Sequence, residues 1–171
     1  PGKFDEDGNK KYNLNIKNGN VENARYNKEF FDIISLNHVL EHINNPNETI
    51  YEIKRILKEE GVLIVGVPNT NSLAFKIFGK NWYQLDAPRH LIDYSQKNLK
   101  FLLEKNGFVI KKICYNSRPS QFAVSLMYLL NIKNKIVEKL LELIFLPLSW
   151  LANFLKIGDQ IEIWCVKKKD T

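Results

Sequence analysis

The sequence predicts an α/β protein with a mainly parallel sheet. Three observations carry this reading. Residues 30–36 and 62–67 are short, nearly continuous apolar runs, as expected of strands buried on both faces of a parallel sheet. A helix-patterned stretch lies between them, which makes a βαβ unit with a right-handed crossover. Further strand-like runs at 108–115 and 161–166 alternate with helical patterns.

In chain order, residues 1–13 are polar and read as a loop or frayed tail. Leu14, Ile16 and Val21 flank Lys17-Asn18-Gly19-Asn20, a weak strand followed by a turn. After the first apolar run, Asn45 is placed to cap a helix, with Pro46 in its first turn and Glu48 at the third position. Ile50, Ile53, Ile56 and Leu57 repeat at helical spacing, and Gly61 is the expected stop. Pro68-Asn69 closes the second strand. Residues 69–94 form a long irregular segment, a length usually kept for function. Ser95 caps the next helix, with Leu99, Leu102 and Leu103 on one face and Gly107 as stop. Residues 121–156 read as one or two apolar helices broken near Asn131 and Pro147. Gly158-Asp159 turns the chain into a last strand, expected to run antiparallel. One domain results: an N-terminal segment 1–29 with little to anchor it, an α/β core 30–118, a helical insert 119–157, and a last strand and tail 158–171.

Composition narrows the function. With 171 residues, 44% hydrophobic and 26% charged, the chain can bury a core without disulfides or a structural metal. The net charge is +6, yet only Arg25, Arg55, Arg89 and Arg118 are arginines. Base and phosphate recognition favours the arginine fork, so nucleic acid is not an expected partner. Cys114 and Cys165 have neither metal-ligand spacing nor company for a disulfide framework, which points to the cytosol. The only methionine is Met127 and the chain opens Pro1-Gly2-Lys3, which reads as a piece of a longer or processed protein.

A series of motifs then carries a resemblance. Phe31-Asp32-Ile33-Ile34, Asn37-His38-Val39-Leu40-Glu41-His42 and Asn45-Pro46 resemble the segment after strand 4 of class I S-adenosylmethionine-dependent methyltransferases. Within that class they are most similar to the type 11 and type 23 methyltransferase domains. Leu57-Lys58-Glu59-Glu60-Gly61-Val62-Leu63, Val67-Pro68-Asn69 and Asp86-Ala87-Pro88-Arg89-His90-Leu91 resemble the later motifs of that family in order. The acidic-x-Gly-x-Gly-x-Gly loop of the family, its motif I, occurs nowhere in this sequence. The resemblance therefore implies the C-terminal portion of a Rossmann-like methyltransferase: strands 4, 5, 6 and 7, the last antiparallel, with a helical insert before it. The family order 3-2-1-4-5-7-6 would leave strand 4 at an open edge. A homodimer through that edge, or some other cover for it, is expected.

By the same resemblance, Gly19, Asn20 and Val21 fall where the adenine of S-adenosylmethionine binds, and Asn37 and His38 face its methionine part. An ordinary turn explains Gly19–Val21 equally well. His38 and His90 are the catalytic candidates, His38 as general base because imidazole titrates near working pH; simple pocket lining is the plainer alternative. Trp82, Tyr83, Arg89 and His90 lie on the acceptor side. Arg89 either grips an anionic group of the acceptor or braces the loop through Asp86 or Asp93. His38, Glu41 and His42 share one face of a turn, where a hydrogen-bonded brace is preferred to a metal, so no metal is assigned.

Residues 140–155 are too short to span a bilayer. A lid packed on the sheet is the preferred reading of this insert. Contact with a membrane surface, at the inner face of a cytoplasmic membrane, is the other, given Trp150 and the lysines at 133, 135, 139 and 156. The functional expectation is a fragment of a methyltransferase for a small-molecule or lipid- or sugar-linked acceptor, inactive by itself. The alternative is a degenerate methyltransferase-like module that docks a partner or membrane through the insert.

Overall fold

The computed structural model describes residues 15–169. Four strands make one mixed sheet: β1 (Phe31–Asn37), β2 (Leu57–Pro68), β3 (Phe108–Tyr115) and β4 (Gln160–Lys167), in the order β1-β2-β4-β3. β1 and β2 pair in parallel, and β4 inserts antiparallel between β2 and β3. Three strands thus point one way, as expected, but only one of the three pairings is parallel. The last strand is central, and it alone reverses.

The helices are α1 (Pro46–Ile56), α2 (Leu73–Phe78), α3 (Gln96–Lys105), α4 (Pro119–Leu130) and α5 (Lys135–Phe154). In-register pairs Leu63–Cys165, Val65–Ile163 and Val67–Ile161 put six side chains on one face of the sheet, all fully buried. Ile50 and Ile53 of α1 and Leu99 and Leu103 of α3 close that core. The expectation of strands buried on both faces fails for β1. Its Ile33 is 61% exposed, because among the described residues no helix covers the second face there. A second, smaller core joins α2, α4 and α5 around Ala74, Trp82, Phe122 and Ala152.

Local chemistry explains several departures from the sequence pattern. α1 ends at Ile56, not at Gly61, because Leu57 already pairs with Phe31 as the first residue of β2. The register then jumps from Phe31–Leu57 to Ile33–Val62, a bulge that takes up residues 58–61. Gly61 sits there because a Cβ would lie 2.8 Å from the Leu57 side chain and 3.0 Å from the Asp32 carbonyl oxygen. Asn45 makes no side-chain cap; its amide donates instead to Glu48 Oε2 at 3.0 Å. Ser95 caps as expected, with Asn98 completing a reciprocal box, and Gly107 follows α3 at φ +81°. The segment after β2 is less irregular than expected, since Ser72 caps the short α2.

Asn131, at φ +53°, ends α4 as the sequence suggests. Pro147 breaks nothing: α5 runs through it, with the ring on the exposed side, where a carbonyl that loses its donor still meets water. Leu14 lies outside the described residues, and residues 15–18 form no strand. Residues 20–29 are better anchored than expected. The Thr49 hydroxyl donates to Glu22, Arg55 Nη2 donates to the Tyr26 carbonyl at 2.6 Å, and the Glu29 amide donates to the Arg55 carbonyl at 3.0 Å. Among the described residues, no helix is long and apolar enough to cross a membrane.

Candidate functional site

The chain leaves the sheet at Asn37 through a strained residue. His38 adopts φ +52°, a left-handed conformation costly for any residue with a side chain, and its amide donates to the Gly66 carbonyl at 2.9 Å. A 3-10 turn over Leu40–His42 follows. It brings Glu41 under His38, whose Nδ1 lies 3.1 Å from Glu41 Oε1. Glu41 is 1% exposed and its Oε2 has no hydrogen-bond partner among the described residues. A carboxylate accepts, so His38 Nδ1 is placed to donate to it, and the Gln160 side chain bonds to the same ring. The Glu41 hydrogen bond raises the His38 pKa above its ordinary 6.5, and partial burial opposes the rise.

The loop after β2 is stitched to the same turn. The amides of Leu91 and Ile92 donate to the Glu41 carbonyl at 2.8 and 3.2 Å. His42 Nδ1 donates to the Arg89 carbonyl at 2.8 Å, and the His90 ring meets that of His42 edge-on at 4.8 Å. His90 Nε2 lies 3.9 Å from Glu41 Oε1. Glu41, His42 and His90 each offer a ligand atom within 4.8 Å of the others, so this trio could hold a divalent cation as well as a hydrogen-bonded brace. The buried Tyr94 hydroxyl also has no partner among the described residues; burial first, and then the Glu41 charge, push its pKa up to about 12.

Two cavities open at this end of β1, and residues 36–42 serve both. A cavity of about 540 Å³ is lined by Leu36, Val39 and His42, by the turn Gly19–Asn23, and by the start of α1. Its walls combine apolar Val21 and Ile43 with the amides of Asn20 and Asn44 and the carboxylates of Glu22 and Glu48. A cavity of about 470 Å³ is lined by Asn37 and His38 together with Tyr83, Arg89, His90 and Arg118. Both volumes suit small-molecule ligands.

The expected residues therefore separate. Gly19, Asn20 and Val21 line the first cavity, and Asn37, His38, Tyr83, Arg89 and His90 line the second. Trp82 lines neither. It is buried in the second core, edge-on to Phe75 at 5.3 Å, so its contact with an acceptor is corrected to a structural place. Arg89 pairs with Asp86 at 2.6 Å, not with Asp93, while its side chain stays 74% exposed.

The pattern missed residues that distant segments deliver. Gln160, first in β4, donates from Nε2 to Asn37 Oδ1 at 3.4 Å. Gly66 makes room there, since a Cβ would lie 2.9 Å from that same oxygen. Arg118 and Gln121 come from the start of α4. Beside them Asp159 is fully buried, accepts from the Ser117 hydroxyl, and has its pKa pushed up to about 7 by burial. Only the Gly158-Asp159 turn signal marked this region in the sequence.

This layout of parallel strands, with cavities at the carboxyl end of β1 where open α/β sheets bind ligands, has known counterparts. A family model described as a methyltransferase domain matches residues 4–113, over half of the chain. The chain belongs to that methyltransferase-domain family. It is 30% identical over 87 residues to an uncharacterized protein of Methanocaldococcus jannaschii, covering 51% of this chain and 42% of the relative. It is 41% identical over 49 residues to a ubiquinone biosynthesis O-methyltransferase of Glaesserella parasuis, covering 29% of this chain and 21% of the relative. The chain thus spans less than half the length of these curated relatives. In fold it is similar to an S-adenosylmethionine-dependent methyltransferase of Thermotoga maritima. The TM-score is 0.60 at 18% identity, over 93% of this chain and 67% of the other. That neighbour is described as S-adenosylmethionine-dependent, and another is described with S-adenosylhomocysteine bound.

Proposed function

We propose that this chain forms the acceptor side, and one wall of the donor site, of an S-adenosylmethionine-dependent methyltransferase. The acceptor class is a small molecule or a lipid- or sugar-linked intermediate. The observation that carries this reading is the shared segment 36–42, in which Leu36, Val39 and His42 line one cavity and Asn37 and His38 line the other. A donor in the first cavity and an acceptor in the second would meet beside Asn37 and His38.

The cofactor, when bound, supplies a methyl group already activated by its sulfonium. The chain's residues then have positional and proton-handling work. Asn20 accepts from the adenine amino group, with Gly19 and Val21 shaping the turn around the ring. Asn37 closes the junction, held by Gln160. His38, oriented by Glu41, takes the acceptor's proton at Nε2. His90 supports that role from the facing loop, while Tyr83 and Arg89 hold the acceptor. The proposed donor site is incomplete in this chain. The sequence has no acidic-x-Gly-x-Gly-x-Gly run and β1 is an edge strand among the described residues, so the other wall belongs on strands added to that edge. Donor binding to this chain is accordingly weak, and turnover without the second wall is negligible.

The test is thermal unfolding with and without millimolar S-adenosylhomocysteine. A ligand that binds only the native state raises its stability, here by about 1 kcal/mol or less, or roughly 2–4 °C. Homocysteine alone should give no rise. An equal rise with both compounds, or none with either, would remove the donor wall from this chain.

A further inference from the structure

The α4–α5 hairpin carries a surface that the methyltransferase reading does not use. Ile136, Leu140, Leu143, Trp150, Leu151 and Phe154 lie on one side of α5, together with Pro147, and are about half to four-fifths exposed. At 3.6 residues per turn they cover an arc of about 100°. The opposite side packs on α4 through Phe145, whose ring stacks on Phe122 at 5.7 Å, and through the buried Ser149 and Ala152. The apolar residues therefore do not wrap the helix. They form a stripe with no cover among the described residues, and Tyr128, Leu129 and Leu130 at the end of α4 are exposed as well.

Charge selects what covers this stripe. The two acids of α5, Glu138 and Glu142, are half-buried and lie on the side away from it. The exposed charges at its margins are cations: Lys133 before the helix, Lys135 at its first position, Lys139 one turn on and Lys156 just after it. A second copy of the same stripe would bring lysines against lysines with no acid between them. An anionic lipid surface complements both features, since acyl chains take the apolar stripe and headgroups take the lysines. Trp150 sits where such a helix places an indole, between hydrocarbon and headgroup.

We propose that α5 lies in the plane of an anionic bilayer surface and seats the protein there without crossing it. Residue 128 links the two surfaces: Tyr128 lines the cavity that holds His38 and starts the exposed Tyr128–Leu130 row. The acceptor cavity would then open toward the membrane.

The experiment is co-sedimentation of the whole chain with phosphatidylcholine vesicles, with and without phosphatidylglycerol. The expected result is binding to the anionic vesicles, weakened by salt, with a blue shift of fluorescence that Trp150→Phe removes. A Leu143→Ser/Phe154→Ser pair, at exposed positions that leave the core intact, should lower partitioning about tenfold or more. Replacing Lys133, Lys135 and Lys139 by glutamine should do the same, at roughly tenfold or less per charge. Circular dichroism confirms that each variant is folded. No partitioning, or equal partitioning into neutral vesicles, overturns the proposal. So does a dimer, seen by sedimentation equilibrium, that Leu143→Ser dissolves while vesicles bind nothing.

Discussion

His38 shows how much one residue's surroundings decide. Imidazole by itself is half-protonated near neutrality, but the Glu41 carboxylate at 3.1 Å accepts from its Nδ1 and raises its pKa. An NMR titration of His38 should show a midpoint above 6.5, returning toward 6.5 in Glu41→Gln. An unchanged midpoint in that variant would remove Glu41 as the positioning residue. The pair's contribution to stability is complete below pH 6.5 and is lost as the pH rises through the raised value. Asp159 behaves in the reverse sense to a salt-bridged acid. Unfolded, it titrates near 3.8; in the fold, near 7. Between those values the native state holds a proton that the unfolded chain has released, so stability falls as pH rises through that window. Asp159→Asn should therefore raise the melting temperature more at pH 8 than at pH 4, and an equal change at both would contradict the raised pKa. The sequence could place His38 and Glu41 on one turn by their spacing. It could not show that Glu41 would be buried, because its cover comes from a loop some fifty residues away.

At the scale of elements, much short-range chemistry was legible, though not the absence of an Asn45 cap or the passage of α5 through Pro147, and long-range packing was not. The Ser95 cap, the Gly107 stop and the Asn131 break are local events, readable from one residue and its neighbours. Gly61 stops no helix, because the competing pairing of Leu57 with Phe31 is made by a distant strand. Gly61→Ala must push its Cβ against the Leu57 side chain and the Asp32 carbonyl, an overpacking cost of about 1–3 kcal/mol. Urea unfolding measures it, and a neutral substitution would mean that the bulge relaxes freely. Burial sets a second contrast. Leu63→Ala in the sheet core should cost about 2–5 kcal/mol, whereas Ile33→Ala, on the uncovered face of β1, should cost well under 1 kcal/mol. A large loss for Ile33→Ala would show that something covers that face in solution.

At the largest scale, one sheet face carries a complete core while β1, among the described residues, is both an edge and half exposed. The strand directions followed from the βαβ pattern, and the antiparallel β4 from its turn. No local signal places β4 between β2 and β3; the family order given by the resemblance, with the last strand between the fifth and sixth, does, and the sheet has that order. Trp82 was misplaced. Its place on the long irregular segment, and the resemblance, suggested a binding loop, while α2, α4 and α5 converge on it from elsewhere to make the second core. In the proposed function, the arrangement of two cavities on one segment is what ties this half-covered sheet to methyl transfer. The direct measurement is a ¹⁵N-NMR titration of the chain with S-adenosylhomocysteine. Weak, saturable shifts should be confined to residues 19–23 and 36–49, around the cavity beside Asn20. Shifts centred instead on Tyr83, Arg89 and Arg118, or no shifts at millimolar ligand, would contradict the assignment of donor and acceptor to their cavities.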